Sequence, residues 1–110
     1  MSSWSSVDHL KVAELLLELG ADPNARDNDD NTPLHLASKI GHAQVAEILL
    51  DSGVDTDAQN NDSTNPLHFA SGGGHLKIVR MLLNRRADVN ARDKDCKTPL
   101  HFVLQDKHVT

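Results

Sequence analysis

"TPLHLA", residues 32–37, is nearly reproduced by "NPLHFA" at 65–70 and by "TPLHFV" at 98–103, and the step is 33 residues both times. The flanking sequence keeps the same step. Three loop-like strings, "GADPNARD" at 20–27, "GVDTDAQN" at 53–60 and "RADVNARD" at 86–93, fall in register. So do three helix-like segments, "DHLKVAELLLEL" at 8–19, "GHAQVAEILLDS" at 41–52 and "GHLKIVRMLLNR" at 74–85. A fixed period of this length marks a solenoid, in which each unit buries its apolar face only against its neighbours.

Each column of the repeat has a physical role. Thr32 and Thr98 suit the N-cap of a helix, and Asn65 replaces them without loss because its side chain also accepts from the first turn. Pro33, Pro66 and Pro99 then stand at the first helical position, where the missing N–H costs nothing. Leu34, Leu67 and Leu100, with Ala37 and Ala70 three residues on, mark the buried side of a short first helix. Val45, Ala46, Leu49 and Leu50 give the core face of a second helix.

With these motifs in place the chain resembles the ankyrin repeat family, whose signature pairs T-P-L-H-x-A with a 33-residue period, over about residues 7–108. The resemblance implies an all-α solenoid of stacked helix-turn-helix units joined by β-hairpin-like loops. It divides a single domain, 1–110, into complete repeats at 26–58 and 59–91, between half repeats at 7–25 and 92–110. The first half repeat begins directly with a second helix, and "TPLHFVLQDKHVT" stops before one. Leu10, Leu16 and Leu17 at one end and Phe102, Val103 and Leu104 at the other are therefore expected to be partly uncovered, with Trp4 a candidate cap over the first set.

Seven histidines in 110 residues invite a metal or catalytic reading, but all fall into two columns. His35, His68 and His101 form one; His9, His42, His75 and His108 form the other. Equivalent side chains of packed helical units stand roughly 10 Å apart, too far for two to share a zinc whose nitrogen ligands sit at about 2.0–2.1 Å. The T-P-L-H imidazoles are expected to hydrogen-bond backbone between units, and the G-H imidazoles to fix the start of the second helix. No Ser/His/Asp or Cys/His grouping stands outside these columns, so no enzyme, metal or cofactor is expected. "SGGGH" at 71–75 lacks the Lys-Ser/Thr of a phosphate loop and reads as a weakened end of a first helix.

Four positions depart from the family pattern. Asp30, Ser63 and Cys96 stand where the hairpin usually has glycine, which predicts distorted or more mobile turns. Arg86 stands in the column of Gly20 and Gly53 and predicts a cost of about 1 kcal/mol at the helix end unless the cap is rebuilt.

Bulk composition narrows the function class. Aromatic residues make up 3% of the chain, and the net charge of −5 argues against a nucleic-acid-binding stripe. Ten of the 16 acidic side chains but only three of the 11 basic ones lie in residues 1–55, so the N-terminal half is acidic and the C-terminal half mildly basic. The lone Cys96 excludes an intramolecular disulfide and fits an intracellular, reducing setting, cytoplasmic or nuclear. No stretch approaches the 18 apolar residues of a membrane span.

The resemblance implies a protein–protein interaction module that binds through its hairpin tips and the concave face of its first helices, with no nucleic acid and no membrane as partner. Carried over by position, the tips are Asn28, Asp29 and Asn31; Asn61, Asp62 and Thr64; and Lys94, Asp95 and Lys97. The first-helix positions are Lys39 and Ile40, Gly72 and Gly73, and Gln105 and Asp106. These residues vary between units while the framework repeats. The alternative is a piece of a longer array, or a unit that self-associates through its uncapped ends. Asn24 and Asn90 match the spacing at which ankyrin asparagines are hydroxylated, and read first as residues that shape the loop.

Overall fold

The structure is a computed structural model that describes residues 6–105; Trp4, Asp106 and His108 lie outside the described residues. Six helices follow in order: α1 (Ser6–Glu18), α2 (Pro33–Ile40), α3 (Ala43–Asp51), α4 (Pro66–Gly72), α5 (Leu76–Asn84) and α6 (Pro99–Val103). They form two rows, with α2, α4 and α6 stacked in one, α1, α3 and α5 in the other, and α2–α3 and α4–α5 as cross-row pairs. Among the described residues there is no strand, so the loops are hairpin turns without a ladder.

Each first helix starts the same way. Thr32 is extended, its hydroxyl accepts from the His35 N–H, and His35 Nδ1 accepts in return from the Thr32 N–H at 3.0 Å. This is a capping box with histidine in the place usually held by Glu or Gln. Asn65 with His68 and Thr98 with His101 repeat it. The second helices are less uniform. His42 Nδ1 accepts from the Val45 N–H at 3.4 Å, whereas the His75 ring makes no cap bond. The expectation for the G-H column therefore holds at His42 and fails at His75, whose Nε2 instead donates to the Lys39 carbonyl one unit back, at 3.2 Å.

The core is one continuous cluster built from Leu34, Ala37, Ala46, Leu49, Leu50, Leu67, Ala70, Ile78 and Leu82. Val45, expected in it, packs half-buried at the rim, while its counterpart Ile78 is fully buried. The alanines let successive helices approach closely, and the histidine rings extend the packing sideways. His35 meets Phe69 edge-on at 6.0 Å between centroids, and His68 lies against Phe102 at 4.8 Å.

Of the four positions that lack glycine, the three in hairpins correct the sequence expectation and Arg86 does not. Asp30, Ser63, Cys96 and Arg86 all adopt left-handed backbone, with φ of 65°, 59°, 63° and 64°. The turns are not distorted: Asp30, Ser63 and Cys96 donate to the carbonyls of Asp27, Asn60 and Asp93, each at 2.9 Å. Nor is the cap at Arg86 rebuilt. Its N–H donates to Leu83 and that of Ala87 to Leu82, the paired bonds of a Schellman end that α1 forms with Gly20. Conformational energy is thus spent to keep the period regular.

The glycine run ends α4 at Gly72 and has a further role beside the weakened helix end read there. Gly74 takes the left-handed C-terminal position with φ 69°. A Cβ on Gly73, or on Gly41 of the preceding unit, would overlap the His75 ring, so both glycines make room for the imidazole that ties the units together.

Candidate partner-binding surface

The hairpin tips are built on one side-chain column. Asp27 Oδ1 accepts from the N–H groups of Asp29 and Asn31, both at 2.9 Å. Asn60 does the same for Asp62 and Thr64, and Asp93 for Asp95 and Lys97. An Asx-type oxygen inside each turn replaces the bonds that a strand ladder would supply. These backbone donors, Asn31 first, hold the Asp27 carboxyl below its usual range.

Successive tips are then joined to one another. The Asn61 N–H donates to the Asp29 carbonyl at 3.1 Å, and the Lys94 N–H to that of Asp62 at 2.9 Å. Lys94 Nζ also pairs with Asp62 Oδ1 at 3.0 Å, and this hydrogen bond raises the lysine above its usual pKa. Asn60 Nδ2 donates to Asn31 Oδ1 at 2.8 Å, and Arg26 Nη1 to the Gln59 carbonyl at the same distance. Beneath them the T-P-L-H histidines fix the hairpins to the helices. With Nδ1 accepting in the capping box, Nε2 carries the proton: His35 donates to Thr64 O at 2.8 Å, and His68 to Lys97 O at 2.9 Å and Ala91 O at 3.0 Å. Burial pushes the His35 pKa below its usual value, so the neutral donor is the stable form.

Most of the predicted surface residues lie in the open. Asn28, Asp29, Asn61, Asp62, Lys94 and Asp95 are exposed along the tips. Asn31 and Lys97 are half-buried at the hairpin base. Thr64 is buried, 5% exposed, with its carbonyl taken by His35; it ties its hairpin to the preceding unit and is not a free contact residue. On the first-helix row Lys39, Ile40, Gly73 and Gln105 are exposed and Gly72 is half-buried. Lys39 Nζ sits 5.6 Å from the centre of the Phe69 ring. Asp106 lies outside the described residues.

Sequence reasoning missed two features. The Asp27, Asn60, Asp93 column organises every tip, and its signal was present as the last residue of each aligned loop string. Leu36, exposed beside Ile40, adds apolar surface to the first-helix row; the repeat gave no sign of it because its counterpart Phe69 is half-buried. Among the described residues no three His, Cys, Asp or Glu side chains are grouped to hold a metal, and no helix is long and apolar enough to cross a membrane.

Comparison with known proteins matches residues 3–93 to the family described as "Ankyrin repeats (3 copies)". Individual relatives align over about one repeat. Protein fem-1 homolog C of Danio rerio is 66% identical over 29 residues, 26% of this chain and 5% of that protein. Protein fem-1 homolog A of Bos taurus is 57% identical over 30 residues, 27% of this chain and 5% of its own length. Protein fem-1 homolog C of Homo sapiens is 59% identical over 29 residues, with shares of 26% and 5%. The matched stretch thus spans about one twentieth of these curated relatives.

Proposed function

The chain belongs to the ankyrin repeat family, whose repeats are generally protein–protein interaction modules, and from that premise we propose that it binds a partner protein along the row of hairpin tips and the adjoining first-helix face. The observation that carries this reading is the tip row itself. Each tip is held by its own Asx oxygen and bonded to the next through backbone, so its exposed side chains are presented at fixed spacing with little backbone entropy left to lose on binding.

The contact set begins with Asn28, Asp29, Asn61, Asp62, Lys94 and Asp95, and continues onto Lys39, Ile40, Gly72, Gly73 and Gln105. Asp106 extends the same set by sequence position. The first two tips are acidic and the third carries Lys94 and Lys97, which suits a partner with a mainly basic stripe. Repeat boundaries at 26–58 and 59–91, an intracellular setting and the assignment of no catalytic group or cofactor belong to this reading.

The test is affinity enrichment with the wild type and with the triple charge reversal Asp29→Lys, Asp62→Lys, Asp95→Lys, read by quantitative mass spectrometry. Binding through the tips predicts that specific partners are lost while the far-UV circular dichroism stays the same. An unchanged set of partners would place the contact elsewhere.

A further inference from the structure

His35 and His68 are each bonded at both ring nitrogens, accepting at one and donating at the other, a pattern only the neutral imidazole supplies. Nδ1 of His35 accepts from the Thr32 N–H at 3.0 Å, and Nε2 donates to the Thr64 carbonyl at 2.8 Å. Nδ1 of His68 accepts from the Asn65 N–H at 3.1 Å, and Nε2 donates to the carbonyls of Lys97 and Ala91. A second proton goes on Nδ1 and sets N–H against N–H inside the capping box. The Thr32 hydroxyl, 2.9 Å from Nδ1, can turn to accept from it, but the Thr32 amide cannot. At the other box the Asn65 oxygen is already taken by the His68 N–H. The charged ring therefore leaves its seat, and the carbonyl of the next hairpin loses its donor.

The ties that survive this proton lie elsewhere. His75 accepts no cap bond and donates from Nε2 to the Lys39 carbonyl at 3.2 Å, so a further proton takes nothing from it. Leu34, Leu49, Leu67 and Leu82 keep the two helix rows together. Each hairpin keeps the bonds of its own Asp27, Asn60 or Asp93 oxygen. What gives way is the joint between hairpin and first-helix row. Around His35 the facing charges are Arg26 and Asp27, of opposite sign, and the hairpin that receives it carries Asp62 out at its tip. Gln59 and Asn60 hold the Arg26 and Asp27 columns before His68, and the hairpin that receives it carries Arg92, Asp93, Lys94, Asp95 and Lys97. Phe69 of α4 and Phe102 of α6 lie against the two rings, and neither helix contains Asp, Glu, Lys or Arg.

We propose that His35 and His68 make the hairpin row proton-sensitive: below neutral pH a second proton on each ring opens its capping box and frees the hairpins at 58–64 and 91–97 from the first helices, which stay stacked. Burial lowers the pKa of His35, so its joint opens below about pH 6.5. Thr64 and Lys97 are the last residues of the turns organised by Asn60 and Asp93, so losing their ties loosens the tips at Asn61, Asp62, Lys94 and Asp95. Loosened tips no longer hold their side chains at fixed spacing, and a partner bound along the row is released in acid. That last step rests on the tip row being the contact surface; the opening of the joints does not.

Amide hydrogen exchange of the 110-residue chain at pH 7.5 and 5.0, read by mass spectrometry and divided by the rates of unstructured peptides, tests the opening without a partner. Protection over 58–64 and 91–97 should fall about tenfold in acid, and that of α3 and α5 less than about twofold. Glutamine serves an ordinary capping box and does not titrate, so His35→Gln should abolish the loss at 58–64 alone, and His68→Gln that at 91–97 alone. Circular dichroism checks that each variant folds. Where one does not, imidazole NMR of the wild type replaces it, and the loss must track protonation of His35 and His68. Hairpins equally protected at both pH values, an equal loss across α3 and α5, or a loss that persists in the glutamine variants or runs apart from protonation would overturn the proposal. Affinity enrichment at the two pH values reads the last step: partners lost by the triple tip reversal should also leave the wild type in acid and stay on the double glutamine variant. Partners that stay on the wild type while the hairpins open would overturn the gating of binding. Partners indifferent to the tip reversal would overturn the contact surface and leave the opening of the joints standing.

Discussion

Replacing Arg86 with glycine should stabilise the fold by about 0.5–1 kcal/mol. Arg86 holds φ at 64° at the end of α5, its side chain is exposed, and no hydrogen bond or ion pair of that side chain is found among the described residues. Its N–H and that of Ala87 bond to Leu83 and Leu82 at 3.0 and 3.1 Å, so the backbone cannot relax without breaking the cap. A left-handed L-residue costs roughly 1–2 kcal/mol, and glycine removes that cost while adding about 0.4–1 kcal/mol of unfolded-state entropy. For a domain of this size the net gain raises Tm by about 3–6 °C. Gly53 supplies the mirror control: it occupies the same column with φ 80°, and an added Cβ would meet open space. Gly53→Ala should therefore lose about 1 kcal/mol through the backbone alone. Urea unfolding at low micromolar concentration, followed by circular dichroism with a shared m-value, measures both. A midpoint for Arg86→Gly equal to or below wild type, with Gly53→Ala destabilised as expected, would refute the strain account.

Gly41→Ala should cost more than Gly53→Ala, by about 1–2 kcal/mol, because the new Cβ meets the His75 ring as well as an unfavourable φ; in a His75→Ala background that excess should vanish from the urea midpoints. His68→Ala should lose about 2–4 kcal/mol, since a fully buried ring that donates to two carbonyls and closes a capping box is removed. His101→Ala, in the same column but exposed, should lose no more than about 1.5 kcal/mol in the same assay. Stability should fall on acidification from pH 7.5 to 5.5. Burial lowers the His35 pKa in the folded state, so below the unfolded value near 6.5 the unfolded chain binds a proton that the fold resists. The contribution is complete above that value and is lost progressively as the pH falls from it down through the lowered folded pKa, and His35→Gln should flatten the slope of urea midpoint against pH. Asp51→Asn should change stability by no more than about 1 kcal/mol, because its 2.6 Å pair with Arg85 is exposed and Arg85 keeps its bond to the Leu50 carbonyl.

The period of 33 was enough to read the architecture, the proline and leucine columns, and the framework role of His35, because a solenoid repeats its contacts with its sequence. That these imidazoles bond backbone between units was legible for the same reason; that the acceptors are the carbonyls of Thr64 and Lys97 was not. Columns that mix residue types were harder. Asp27, Asn60 and Asp93 act alike only because each offers one oxygen to two backbone N–H groups, a property of the folded turn. Thr64 read as a tip residue by position, yet lies buried where one hairpin rests on the preceding histidine.

What the sequence determined by itself is therefore local and periodic: helix starts, buried faces and the order of the units, all set by residues within one repeat of each other. Tertiary structure alone decided how non-glycine residues behave where glycine is usual. Three hairpins and one helix end hold Asp30, Ser63, Cys96 and Arg86 in left-handed backbone because hydrogen bonds within each turn, and between successive tips at Asp29–Asn61 and Asp62–Lys94, fix the backbone there. It also decided that the same leucine column is closed at Leu34 and Leu67 and open at Leu100. Burial depends on whether a second helix lies alongside, which no single repeat encodes.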